Sequence, residues 1–480
     1  MVTRTLWLWL CVVWLTTWLT EAIIHPSSVA SVCDLGPCRC ARGLLVCDCS
    51  ISPAKEIVLK KETFDMYIFS SISVANCVHV HVTSHALSDL PALQQFSATN
   101  IAKLTLEEQA FFWRTNNEKH SGLLVNISST AIPEIPSYCF QGSLRHVSFT
   151  SVNVSHVRPF AFSSIDHAER IDFTRVHFTD LESQAFKKFS VEFLVIADTR
   201  VNLIPTRTMM DIDVRQEVLL RNVTVGGIEQ SAFKIYDPRG FRIIQSKVEF
   251  IQGRAFHVHT KGDVSIHDNR FGRLEEDAFV GFTVERRYFE EAGKQDLIFE
   301  NNTLENFESG SLTFNTSGFN PRLDWIMISQ QCSCSSASTW ATDLVYFSSN
   351  PIYKIQVPQI DTVIYCLNPK PTSIKDFQRS YCNVMKSSLL VKVLVGIGVV
   401  ATLGVIGLVI YCGFQRRAKR YINVPTSPSA LRPADYSKSH MLVIPEGKTY
   451  RETELHVIVE HAEAIVPTEY VKERPDQGDQ

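Results

Sequence analysis

Two His-x-His pairs, His79/His81 and His257/His259, are the residues whose spacing most directly suggests chemistry. Alternation along a strand puts both imidazoles of a pair on one side, as a two-histidine metal site requires. In Val78-His-Val-His-Val82 the valines read as core and the histidines as solvent-facing. No carboxylate or thiolate spacing nearby completes a ligand set. Carboxylate pairs are abundant, but spacing singles none out. Gly-x-Ser-x-Gly, His-Glu-x-x-His, a phosphate-cradling glycine loop and a kinase motif set do not occur. The expectation is no catalytic residue, no metal and no cofactor, so the chain is not read as an enzyme.

Thiols are the other reactive group, with 13 cysteines. Cys11 falls in an apolar stretch, Leu6 to Leu19, that follows Arg4 and precedes Thr20-Glu-Ala22. That is the pattern of a secretory signal over 1–22. Cys412 ends a second uncharged run from Val393, long enough to cross a bilayer, and the span is expected over 393–414. Gln415-Arg-Arg-Ala-Lys-Arg420 follows, which makes 415–480 a disordered cytoplasmic tail by the positive-inside rule. The expectation is a single-pass type I protein of the plasma membrane. Sequons at Asn126, Asn153, Asn222, Asn301 and Asn315 all fall on the outer side, as glycosylation sites would. In that oxidising compartment the outer cysteines favour disulfides over zinc.

What must position these groups is a repeat. Between Val147 and Leu312 one phrase recurs, apolar at its first, third, eighth and eleventh places and closing on a pair that is usually Ala-Phe. Val264 to Phe279 is the clearest copy. The closing residues Phe162, Phe186, Met209, Phe233, Phe256 and Phe279 follow one another at 23 or 24 residues. Such a period means a solenoid, whose units bury their apolar edges only by stacking. The insert 281–296, containing Glu285 to Glu291, reads as a charged loop on one side or a contact finger. Net charge is −3, too balanced to draw nucleic acid, which is not expected as a partner.

Cys33-x4-Cys38-x-Cys40-x6-Cys47 precedes the repeats, and Cys332-x-Cys334, Cys366 and Cys382 follow them, with Trp340 close to Cys334. The two clusters resemble the flanking caps of extracellular leucine-rich-repeat proteins. The repeats are similar to that family's Leu-x-x-Leu-x-Leu-x-x-Asn-x-Leu. The resemblance covers about 33–382. It implies an α/β-type repeat solenoid: short parallel strands on the concave side and an irregular or short-helical convex side. It also implies an N-terminal cap over 33–50, repeats over 51–320 (best over 123–316) and a C-terminal cap over 321–382. The implied bridges are Cys33–Cys40, Cys38–Cys47, Cys332–Cys366 and Cys334–Cys382. Cys139, in Tyr138-Cys139-Phe140, takes the small slot that Ala fills elsewhere and reads as a buried thiol. Cys49 and Cys77 are left as a fifth bridge or as separate thiols.

The chain departs from the family at the sixth place, where an asparagine should bond the backbone. It carries Thr130, Val152, Val176, Thr199, Val223, Ser246, Asn269 and Asn302. Valine cannot bond there, so a less regular first half is expected. Strand alternation turns the second and fourth places outward, which puts Asn126 on the concave face. It also offers Asp172, Val195, Leu219, Arg221, Arg242, Ile244 and His267 as a partner-binding patch. In that patch Val195, Leu219 and Ile244 would form an apolar strip with a charged rim. In the tail, Tyr421 to Val424 resembles an adaptor-recognised Tyr-x-x-Φ signal. Small residues in the span (Gly398, Ala401, Thr402, Gly404, Gly407) would suit a homodimer. The expected function is an adhesion molecule, receptor or co-receptor gripping an extracellular or cell-surface protein, with a cytoplasmic adaptor on the tail. The alternative is a regulatory or scaffolding subunit acting on another membrane protein or its traffic.

Overall fold

The structure is a computed structural model that describes residues 31–51, 56–64, 68–114, 122–350 and 353–418. The signal stretch 1–22, Tyr421 and Val424 lie outside them. The chain divides into two units, 1–398 and 399–480; the repeats lie in the first.

The repeats wind as a parallel β-solenoid of about 11 turns. Each regular turn contributes to three rows of strands. In the first row Ile171, Leu194, Val218, Phe241, Val264 and Leu297 are partners in successive strands. In the second, Val154, Phe178, Val201, Val225, Val248 and Phe271 pair in the same way. The third row is the closing pair of the repeat: Phe111, Phe140, Phe162, Phe186, Met209, Phe233 and Phe256. All of these side chains are buried, and they line one continuous core.

This arrangement corrects the expectation of an irregular or short-helical convex side. Phe256–Thr260 buries alternate residues, as a strand does, and Asn153–Val157, whose buried Val154 and Val157 stand three apart, is a strand because it pairs in register with its neighbours. Sharp corners let a turn of 23 residues hold three strands. The fifth place of the repeat is left-handed: Ser151, Arg175, Asp198, Asn222, Gln245, Asp268 and Asn301 have φ between 51° and 60°. Asn and Asp tolerate that conformation at low cost. Each corner amide bonds to the next turn, as Asp198 N–H does to the Arg221 carbonyl at 2.9 Å and Asn222 N–H to Ile244 at 2.9 Å.

In the first row the early turns are regular, with Leu45, Ile72, Phe96 and Val125 in unbroken register. The irregularity lies in the second row, where Ile57–Leu59, His79–Val82 and Lys103–Leu106 form a separate sheet. The next strand, Ala131–Ile135, contains Pro133, which has no N–H to offer. The insert 281–296 contributes the strand Phe282–Val284 and the helix Arg286–Ala292, in which Tyr288 and Phe289 are half-buried and no side chain is fully buried.

The sixth-place residues form a column of buried bonds. Asn269 Nδ2 donates to the Ile243 carbonyl at 2.8 Å, and its Oδ1 accepts from Ser246 N–H at 2.8 Å. Asn302 repeats this with Ile266 and Asn269. The hydroxyls do the same: Thr199 accepts from Val176 N–H at 3.2 Å, and Ser246 from Val223 N–H at 3.0 Å. Val176 and Val223 therefore have their own amides satisfied by the polar residue one turn later. Asn269→Val would strip two buried backbone groups of partners, a cost of about 2–4 kcal/mol. Amide exchange in the peptide 243–248 should accelerate by about thirtyfold or more; unchanged protection would mean that the column carries no stability.

Five disulfides join Cys33–Cys40, Cys38–Cys47, Cys49–Cys77, Cys332–Cys366 and Cys334–Cys382. The hairpin Cys38–Ala41/Leu44–Asp48 closes the first row at one end, and Ile364–Asn368/Lys370–Ser373 closes it at the other. Cys139 is buried in the slot that Ala161, Ala185, Ala232, Ala255 and Ala278 fill in later turns. Burial pushes its thiol pKa up, so it is unreactive. The chain then forms the helix Asn383–Ala418, and its stretch Val391–Arg417 is long and apolar enough to cross a membrane.

Candidate functional site

The outward face of the first row carries the residues read as a partner surface. Register sets Asp172, Val195, Leu219 and Arg242 side by side on successive strands. A parallel line holds Thr174, Ala197, Arg221, Ile244 and His267. All seven residues of the expected patch therefore share one face. They are not equally available. Val195 is only 6% exposed and Asp172 9%, so the apolar strip loses its first member and the rim its acid. Bulky neighbours account for this: Phe193 lies two residues back on the same face, with the Arg170 guanidinium over its ring at 5.8 Å. Arg221 and Arg242 are exposed, while Leu219, Ile244 and His267 are half-buried.

Asp172 is a structural anchor for this face. His146 Nε2 reaches its Oδ2 at 2.7 Å and Arg170 Nε its Oδ1 at 2.7 Å. Burial by itself would raise its pKa, but these two bonds and charges outweigh it and hold the carboxyl below its ordinary range. Further along, Arg242 pairs with Glu217 at 3.0 Å and His267 with Asp268 at 2.9 Å. His146 and Arg170 were not singled out in the sequence. Their signal was faint: each stands two residues before an outward place, hence on the same face.

Three of the sequons lie on or at the edge of this surface. Asn126 is exposed on it, in register with Ser97 and Ser148. Asn222 and Asn301 sit in the left-handed corners, where their amides donate to Asp198 and Asp268. Asn153 is exposed at the start of a second-row strand. Asn315 accepts from Ser317 N–H at 2.9 Å.

The His-x-His pairs point outward, as alternation required. His79 meets Glu56 at 3.2 Å and Thr105 at 2.9 Å, while His81 meets Glu107 at 2.8 Å. The carboxylates that sequence spacing did not show are thus supplied by neighbouring turns, one to each ring. Among the described residues no group of three or more His, Cys, Asp or Glu side chains is placed to hold a metal. The second row also carries an ion ladder that sequence reading missed: Arg158 bridges Glu134 at 3.0 Å and Glu182 at 2.8 Å. Its signal was the 24-residue spacing of those three charges.

His257 and His259 lie on the third row. His257 bonds Ser231 at 3.0 Å; His259 bonds Thr283 at 2.8 Å and stacks on Tyr236 at 5.4 Å. Burial, then nearby positive charge, lowers both pKa values below 6.5. An unfolded chain therefore takes up these protons first. The histidines' contribution is complete above about pH 6.5 and declines as pH falls through 6.5 towards the folded values. On moving from pH 7.5 to pH 5.5 the wild type should lose more Tm than a His257→Asn/His259→Asn variant. Equal losses would show that the pair does not titrate this way.

No family model and no curated protein matches this chain.

Proposed function

We propose that the chain is a cell-surface binding protein of the extracellular leucine-rich-repeat kind, an adhesion molecule, receptor or co-receptor. It engages another extracellular protein with the outward face of its first row. One observation carries this reading: Leu219, Arg221, Arg242, Ile244 and His267 lie together on three adjoining strands, with two exposed guanidinium groups beside half-buried apolar side chains. Aromatic or aliphatic patches ringed by arginine are the usual make-up of protein contacts. The bonds of Asn269 and Asn302 and the disulfide caps support the leucine-rich-repeat reading. Disulfides before the apolar helix, and Arg416 and Arg417 at its end, support an orientation with the repeats outside the plasma membrane.

The test uses the full chain in lipid nanodiscs against a panel of secreted and surface proteins. Arg221→Glu/Arg242→Glu should weaken the selected partner by about tenfold or more, chiefly in its association rate. A partner that binds the double variant as well as the wild type docks elsewhere, and the assignment of this face fails.

A further inference from the structure

The C-terminal end of the solenoid presents two last strands with no further strand beyond them among the described residues. Among the described residues Tyr353–Gln356 pairs only with Val345–Asn350, and Lys370–Ser373 only with Ile364–Asn368. On the first of these strands Tyr353 is 67% exposed and Ile355 61%. Two residues apart, they share a face. The strand cannot roll over to bury them, because Lys354 between them is held on the opposite side by Glu276 at 2.6 Å and Asp277 at 2.8 Å. Tyr381 is also exposed, stacked on Phe377 at 5.2 Å, and the next residue, Cys382, is bridged to Cys334. Lys370, Lys375 and Arg379 are exposed on the same cap.

The length of chain that follows says what meets this end. The helix begins at Asn383, directly after the bridged cysteine, and its apolar stretch begins at Val391. The intervening residues 383–390 cover about 12 Å as a helix. The headgroup layer is roughly 5–8 Å deep on each side of the hydrocarbon. A cap tethered that closely has its exposed end within reach of the lipid headgroups. Tyrosine is suited to that layer, with an apolar ring and a hydroxyl that stays wet, and lysine and arginine can reach phosphates.

We propose that the C-terminal cap rests on the bilayer surface, with Tyr353, Ile355 and Tyr381 entering the headgroup layer and Lys370, Lys375 and Arg379 on lipid phosphates. This rests on the reading of 391–417 as a membrane span.

The test labels single cysteines with an environment-sensitive fluorophore in the full chain, reconstituted into phosphatidylcholine vesicles. Native Cys412 reports the span, and Cys139 is buried and does not label. In a Cys412→Ser background, Ile355→Cys and Tyr381→Cys report the cap, and Lys103→Cys, near the other end, reports solvent. The expected result is a blue-shifted emission at positions 355 and 381, quenched at least twofold more than position 103 by lipids spin-labelled near the headgroup. Quenching at both cap positions equal to that at 103 would overturn the proposal, as would a blue shift without lipid quenching, the mark of a covering protein or second copy. If the Cys412 probe itself is not quenched by lipid, the span reading fails first and the proposal with it.

Discussion

Phe162→Ala should cost about 3–5 kcal/mol, the range for a buried phenylalanine whose cavity cannot collapse. The ring lies parallel to Phe140 at 4.7 Å and to Phe186 at 4.8 Å, and edge-on to Phe173 at 5.6 Å. Those neighbours are held by their own strands, which are hydrogen-bonded on both sides, so they cannot move in to fill the gap. Phe162→Met is the informative comparison. Met209 already occupies the same slot two turns on and is 2% exposed, so a flexible side chain of similar volume fits and should cost less than about 1.5 kcal/mol. Thermal unfolding and amide exchange across 140–187 would measure both. Equal, small losses for Ala and Met would mean that the ring column is a consequence of the winding rather than a source of its stability. Because turns touch only their neighbours, the exchange effect should fade within two or three turns of the substitution.

Removing the Cys334–Cys382 bridge should destabilise the C-terminal cap by about 4 kcal/mol on the loop-closure estimate, against about 2.5 kcal/mol for Cys33–Cys40. The separations are 48 and 7 residues, so the difference comes from the unfolded chain. The cap covers the open end of the core, where Trp340 packs edge-on to Phe307 at 6.2 Å. Loss of the bridge therefore also exposes apolar surface that no further turn would bury. Cys334→Ser/Cys382→Ser should lower the Tm of the last turns and raise exchange over 300–382, leaving turns before about 200 unchanged. A uniform loss along the whole solenoid would contradict the turn-by-turn picture. A loss no larger than that of Cys33→Ser/Cys40→Ser would contradict the loop-length argument.

Much of the candidate surface was legible before any fold. Alternation alone assigned an outward direction to Leu219, Arg221, Arg242, Ile244 and His267, and those residues do share one face. The same alternation placed Val195 outward correctly but could not foresee that it would be covered. Direction is a property of one strand; exposure depends on the side chains around it, here Phe193 two residues back and Arg170 one turn before. The glutamates beside His79 and His81 are a second case. Glu56 and Glu107 are 23 residues before His79 and 26 after His81, and no local spacing links them to the rings.

The sequence by itself determined that this chain is a repeat. It set the 23-residue period, the small slot that Cys139 fills and which residues face the core, because these follow from side-chain size and alternation within a single turn. Only the tertiary structure decided how many sides the turn has. The segments after each corner are too short to declare themselves strand or helix. They become strands because the turns above and below offer hydrogen bonds in register, and that choice replaced the expected convex side with two further rows of strands. It also decided which outward residues remain open to a partner, since coverage depends on how side chains within a turn and from the turn beside it pack together.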